Sequence, residues 1–147
     1  MQVKYKSLQT KLNKADEKIK LGIKEILALD FSAQKNKFVI DPDFHGWTED
    51  NIDFGELLYK NYLYLCLKYQ DGRHLPPSTD IDDFWHGHIL DTRRYSYDCN
   101  KIFGRILHHN PYFGFGSTQD VNALSDSFDE IQKLHTAEFG APIYEVR

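Results

Sequence analysis

The chain has 147 residues, of which 41% are hydrophobic, and a formal net charge of −4. This length predicts one domain, residues 1–147, with a core large enough to fold without disulfide bonds. The two cysteines form no CxxC pair, which excludes thioredoxin-type sites and zinc fingers. With no signal-peptide core and no apolar run that could span a membrane, we expect a soluble cytoplasmic protein.

Charge is distributed unevenly along the chain. Residues 1–37 contain nine of the 18 basic residues and four of the 22 acidic ones, a local balance of +5 that leaves −9 for the remainder. An acidic main body argues against nucleic-acid binding, which requires a basic surface to neutralise phosphates. We interpret the basic segment as the solvated face of a helix, with contact to an anionic partner as the alternative.

The first predicted helix covers residues 5–29 and is basic and amphipathic. Its apolar residues recur at steps of three and four: Leu8, Leu12, Ala15, Ile19, Ile23 and Ile26. We expect this helix to pack on its own domain, with self-association as the alternative. Residues 30–50 contain turn-forming sequences and predict a long connection, with a short extended piece at 37–40.

Three further helices are predicted, at 52–69, 79–103 and 118–139. The first of these is dense in Leu and Tyr and is the expected centre of the fold. The second follows Pro76-Pro77 and starts with acidic residues that suit a helix N-terminus. An aromatic, histidine-rich loop at 104–116 precedes the last one, which Gly140 and Pro142 end. The chain therefore predicts an all-α fold, a compact bundle of about four main helices.

The helix at 79–103 carries the residues most suited to chemistry. At 100° per residue one face, expected to point inward, contains Phe84, His88, Asp91, Tyr95, Asp98, Cys99 and Ile102. His86 falls nearly opposite, on the face that carries Asp82. Because residues two apart on a helix diverge, His86 and His88 cannot both serve one site unless the helix breaks.

Three interpretations of His88 and Asp91 remain open. In the first, both bind a zinc or iron ion, and His108 or His109 completes the metal site. In the second, His88 is a catalytic base that Asp91 orients, with Tyr95 as a further catalytic candidate. In the third, these side chains satisfy one another in the core. Since adjacent side chains diverge, only one of His108 and His109 is expected to turn toward the helix.

The remaining candidates have supporting or structural interpretations. The expected supporting or alternative site residues are Trp85, His86 and Asp98. Those interpreted as loop or surface histidines are His45, His74 and His135. Cys66 and Cys99 are interpreted as small buried hydrophobic residues.

Two dense motifs stand out in this region. They are Phe84-Trp85-His86-Gly87-His88-Ile89-Leu90-Asp91-Thr92 and the later His108-His109-Asn110-Pro111-Tyr112-Phe113-Gly114. With these motifs, and with Pro76-Pro77-Ser78 before them, residues 81–114 resemble the glycine-rich-domain-containing-protein-like family. The wider region, residues 47–140, resembles the helical core of that family more loosely. The resemblance implies that the two motifs belong to one unit, in a short stand-alone bacterial form.

Two hypotheses for function follow. The first is a small helical metalloenzyme that acts on a small molecule of unknown identity. The alternative is a non-catalytic protein-interaction module whose histidine cluster is structural and whose residues 1–29 engage a protein partner or a second copy.

Overall fold

The computed structural model describes residues 3–43, 46–71, 73–113, 116 and 118–147, apart from the side chain of Asp120. Within these residues the chain forms six α-helices and one 3-10 helix, with no β-strand. The 3-10 helix is Leu8–Lys14, and the α-helices are α1 Glu17–Ala28, α2 Ser32–Ile40, α3 Ile52–Lys68, α4 Thr79–Leu90, α5 Thr92–Phe103 and α6 Thr118–Phe139. The all-helical prediction is confirmed, whereas a bundle of about four main helices is not.

The N-terminal segment is two helices, not the one predicted at 5–29. The Ser7 hydroxyl caps the 3-10 helix, and the Asp16 carboxylate accepts a hydrogen bond from the Lys18 N–H, 3.2 Å away, at the start of α1. Short polar side chains of this kind satisfy the free N–H groups of a helix start, so they favour a new helix there.

Helix α1 is part of the core of the same chain. Ile23 and Ile26 are fully buried, and α1 packs against α3 and α5. A Cβ atom added at Gly22 would lie 2.6 Å from Leu67 Cδ2 and 2.8 Å from the Ile102 carbonyl oxygen. The predicted apolar stripe is therefore confirmed, and glycine allows these helices to approach closely.

The connection predicted at 30–50 contains helix α2, so the extended piece expected at 37–40 is wrong. Phe31 and Phe38 are buried and contact the Phe84 ring edge-on, with centroids 5.2 and 5.4 Å apart. This aromatic packing against α4 stabilises a helix that the local sequence signals only weakly. The sequence predictions for His45 and for residues 114–115 of the aromatic loop fall outside the described residues.

The helix predicted at 79–103 breaks at Asp91 into α4 and α5. Ser78 caps α4, and Asp91 is the capping residue of α5, where its carboxylate faces the Arg94 N–H. The end of α5 at Gly104, which has φ 71°, is as predicted. Asp91 is consequently exposed, and its predicted inward position is wrong.

The C-terminal half of α6 packs on α3 and buries a histidine. His135 is fully buried, with its Nδ1–H donating to the Ala141 carbonyl oxygen at 2.7 Å and its Nε2 accepting from Asn61 at 3.2 Å. The interpretation of His135 as a surface residue is wrong, because it continues the apolar stripe four residues after Ile131. Across the described residues, none of the helices is long and apolar enough to cross a membrane.

Candidate functional site

His88 lies in a fully enclosed polar cluster between α3, α4 and α5. Its Nδ1 is 2.8 Å from the Tyr59 hydroxyl, and its Nε2 is 2.8 Å from Asp98 Oδ2. His88 and Tyr59 are almost completely buried, and Asp98 is nearly so. Each ring nitrogen therefore has one partner already, which leaves His88 no free nitrogen for a ligand.

Electrostatics keeps this cluster in one protonation state. Burial lowers the pKa of His88, and the interaction with Asp98 opposes only part of that shift. Burial also raises the pKa of Tyr59 well above its ordinary value. A neutral His88 then donates its Nε2–H to Asp98 and accepts the Tyr59 hydroxyl proton at Nδ1, an arrangement that satisfies all three groups.

The predicted pairing of His88 with Asp91 is not formed. Asp91 caps α5 and is exposed, while Asp98, predicted only as a supporting or alternative residue, takes the place beside His88. The Tyr95 hydroxyl, by contrast, has a hydrogen-bond partner on each side. It accepts the Trp85 indole N–H at 2.9 Å and donates to the Leu107 carbonyl oxygen.

A second polar cluster forms on the opposite face of α4. Asp82 Oδ1, His86 Nε2 and His109 Nε2 all lie within 4.8 Å of one another. The two histidine nitrogens are 3.2 Å apart, and Asp82 Oδ1 is 3.3 Å from His86 Nε2 and 2.5 Å from His109 Nε2. This group contains one predicted metal ligand, His109, together with His86 and Asp82.

The spacing of these three atoms suits one metal ion. Donor atoms at about 2.1 Å from a tetrahedral or octahedral zinc or iron ion lie ~3.0–3.4 Å from one another. Two of the three separations already have this length. The third, between His109 and Asp82, is that of a charge-assisted hydrogen bond and would have to lengthen by less than about 1 Å.

Hydrogen bonds alone can also hold this cluster together. At 2.5 Å, the His109 Nε2–H donates a hydrogen bond to the Asp82 carboxylate. His86 Nε2 lies 3.2 Å from His109 Nε2 and 3.3 Å from Asp82 Oδ1, so one tautomer of His86 donates to the same carboxylate and the other leaves a lone pair facing the two groups. A cation that replaces the His109 proton would bind all three.

Helix α4 supplies two of the three groups through its regular geometry. Asp82 and His86 are four residues apart and so lie on the same face, one turn from each other. The start of this helix is fixed by Asp80, which is buried and accepts from the Val146 N–H and the Arg147 Nε, both at 2.6 Å. The C-terminal segment thus holds α4 in register.

The loop after α5 supplies His109. Its ring lies over the Trp85 indole, with centroids 4.3 Å apart at 31°. The Trp85 N–H bonds the Tyr95 hydroxyl, which in turn bonds the Leu107 carbonyl oxygen two residues before His109. Burial raises the pKa of Tyr95, so this hydroxyl keeps its proton and continues to donate. Trp85 and Tyr95 therefore position His109.

The neighbouring His108 lies outside this cluster. His108 is exposed and lines a cleft of about 380 Å³, and the less exposed His109 lines the same cleft while its Nε2 contacts the Asp82 carboxylate. His74 and Cys66 line the same cleft. Burial raises the pKa of the Cys66 thiol to about 12, so it stays protonated and is a poor nucleophile.

Sequence reasoning missed Asp82 as a candidate ligand. An acidic residue in the first turn of a helix suits the helix N-terminus without any ligand. The signal that was available is the four-residue spacing between Asp82 and His86, which places a carboxylate and an imidazole on one exposed face. Nothing local indicates that His109 joins them, because this contact spans 27 residues.

Comparisons with known proteins identify the family. The model of the UCP032817-like family matches residues 44–128, more than half of the chain. The chain is also similar to glycine-rich domain-containing protein 1 of Arabidopsis thaliana, at 27% identity over 130 residues. That match covers 83% of this chain but 15% of the plant protein. No solved structure matches. The chain therefore belongs to the UCP032817-like family, and the plant relative supports the resemblance to the glycine-rich-domain-containing-protein-like family that its two motifs indicate.

Proposed function

We propose that this protein is a metalloprotein in which Asp82, His86 and His109 bind one zinc or ferrous ion that acts on a small molecule. The observation that carries the proposal is the convergence of a carboxylate oxygen and two imidazole nitrogens at separations of 2.5–3.3 Å. Two imidazoles and one carboxylate suit either metal.

The exposure of the three groups favours a functional ion over a structural one. Structural zinc is usually enclosed by four protein ligands, whereas catalytic ions keep a position open. The His86 side chain is 50% exposed and that of His109 is 14% exposed. When bound, the ion would supply a Lewis acid that polarises an oxygen of the substrate. The chain's own contribution is to orient His109 through Trp85 and Tyr95 and to hold the small molecule in the adjacent cleft.

Metal binding tests the proposal directly. Tag-free protein is analysed for metal content and is then titrated, after chelation, with Co²⁺, whose visible absorption reports the ligand geometry. We expect one Co²⁺ per chain, displaced by Zn²⁺. Because ligands must be deprotonated, binding is expected to release protons and to weaken as the pH falls.

Adjacent histidines provide the matched control. His109→Ala is expected to weaken Co²⁺ binding by more than ~100-fold, beyond the usual effect of changing a supporting group, and His108→Ala is expected to leave it unchanged. Asp82→Asn is expected to weaken Co²⁺ binding to a similar extent as His109→Ala. Equal binding by the His108 and His109 variants, or a parent protein that binds no Co²⁺, Zn²⁺ or Fe²⁺, would overturn the proposal.

A non-catalytic interaction module is the second candidate. The observation that favours it is the fully satisfied cluster of Tyr59, His88 and Asp98, which is a structural network. In this case the lysine-rich face of α1 would bind an acidic partner or a second copy. Light scattering on the full chain tests self-association, because removing α1 would expose Ile23 and Ile26.

The proposed location is the cytoplasm. Both cysteines of the chain, Cys66 and Cys99, are free thiols, which suits a reducing compartment.

A further inference from the structure

The cleft beside the metal cluster combines an aromatic surface with polar groups at its margin. Its buried lining includes Tyr62, Leu75 and Trp85, and its exposed lining includes His74 and His108. Trp85 connects the two sites, because one face of its indole carries His109 while the residue also lines the cleft. A small molecule in the cleft would therefore contact the ring that positions His109, one of the proposed ligands.

The charge of the cleft is opposite to that of the chain as a whole. None of the described residues that line it is acidic, although acidic residues outnumber basic ones in the sequence, 22 to 18. The lining includes two arginines. Arg73 is neutralised by Asp71 at 2.6 Å and by Glu130 at 2.9 Å.

Arg105 differs from Arg73 in having no ion-pair partner among the residues that the structure describes. Its guanidinium donates to the Ile106 carbonyl oxygen at 3.3 Å, and it forms no ion pair within the described part of the chain. The Cys66 thiol in the same lining stays protonated, since its pKa is raised to about 12. Among the described residues, Arg105 therefore offers a cation without an ion-pair partner at the edge of an aromatic cleft.

We propose that this cleft binds a small aromatic carboxylate, with its carboxylate on Arg105 and its ring against Tyr62 and Trp85. A guanidinium matches a carboxylate with two parallel hydrogen bonds, and the apolar lining favours a ligand with a hydrophobic body. This proposal names the ligand class of the proposed metalloprotein and so rests on that function. Binding of the carboxylate itself depends on Arg105, which is outside the metal cluster.

Calorimetry with two matched probes tests the proposal. The full chain, zinc-loaded and metal-free, is titrated with 3-phenylpropionate and with its neutral amide, 3-phenylpropionamide. We expect the acid to bind at least about tenfold more tightly than the amide, as a charge-assisted hydrogen bond requires. Arg105→Gln is expected to remove this preference, and Arg93→Gln, at an exposed arginine of α5, is expected to keep it.

The outcomes separate this proposal from the metal site. Equal binding of acid and amide, a preference that survives in Arg105→Gln, or no detectable binding of 3-phenylpropionate would overturn the proposed ligand class. Tighter binding of inorganic phosphate than of 3-phenylpropionate would overturn it too. A preference for the acid in a protein that binds no metal would support the ligand class and overturn the proposed metal function alone.

Discussion

Two histidines of α4, His86 and His88, are separated by a single glycine and have opposite surroundings. His88 points into the core, where Tyr59 and Asp98 each occupy one ring nitrogen. His86 points outward, where its Nε2 meets a second imidazole and a carboxylate that share one proton. Both ring nitrogens of the enclosed histidine have a partner, and the exposed histidine faces the cluster that we propose as a metal site.

This difference shows that the number of polar neighbours does not distinguish a structural cluster from a binding site. Both clusters contain a histidine and an aspartate within hydrogen-bond or ion-pair distance. In the enclosed cluster both ring nitrogens of the histidine have a partner inside the core, whereas in the exposed cluster two imidazole nitrogens and one carboxylate oxygen lie within 3.3 Å of one another. The following variants test whether the two clusters separate stability from metal binding.

Removing the enclosed histidine is expected to give the largest loss of stability. His88→Ala leaves the Tyr59 hydroxyl and the Asp98 carboxylate buried without their partner, and we expect a loss of about 3 kcal/mol. Urea unfolding measures this loss. His88→Gln provides a folded variant if the alanine variant unfolds, and it should bind Co²⁺ like the parent. Loss of Co²⁺ binding at unchanged stability would reverse the assignment of the two clusters.

Tyr95→Phe is expected to have an intermediate effect, since Tyr95 connects the core to the loop of His109. The variant leaves the Trp85 N–H and the Leu107 carbonyl without a partner and should cost about 1–2 kcal/mol. Because His109 then loses support, Co²⁺ affinity should fall by about 10–100-fold. Tyr97→Phe, at an exposed tyrosine of the same helix, is the control and should change neither quantity.

A change of pH is expected to alter the free energy of unfolding by a smaller amount. His135 tests this effect at a position on α6, distant in sequence from the clusters of α4. Burial lowers the pKa of His135, so the unfolded chain binds a proton more readily than the folded one. The stability that this histidine contributes is complete above its unfolded pKa of about 6.5 and is lost as the pH falls through the folded pKa. Urea midpoints measured at about pH 7.5 and pH 5 should therefore differ less in His135→Gln than in the parent, while His108→Gln should match the parent.

The smallest change in stability is expected for His86→Ala. Its side chain is half exposed, so the free energy of unfolding should change by less than about 0.5 kcal/mol. Co²⁺ binding should nevertheless be lost. A variant that binds Co²⁺ like the parent would show that the outward cluster is not a metal site.

The sequence alone determined which faces of the helices are apolar and where most helices end. The stripe from Leu8 to Ile26, the end of α5 at Gly104 and the bounds of α6 all follow from local periodicity and from glycine or capping residues. The opposite orientations of His86 and His88 also follow from helix geometry, and the pairing of Asp82 with His86 could have been found in the same way.

Only the tertiary structure decided which polar groups meet. Asp98 replaces Asp91 beside His88 because the chain turns at Asp91 and directs α5 back across α4. His109 reaches Asp82 because Trp85, Tyr95 and the Leu107 carbonyl hold the loop against α4. Helical periodicity fixes the direction of a side chain over a few turns, but contacts across a loop depend on packing that no local pattern encodes.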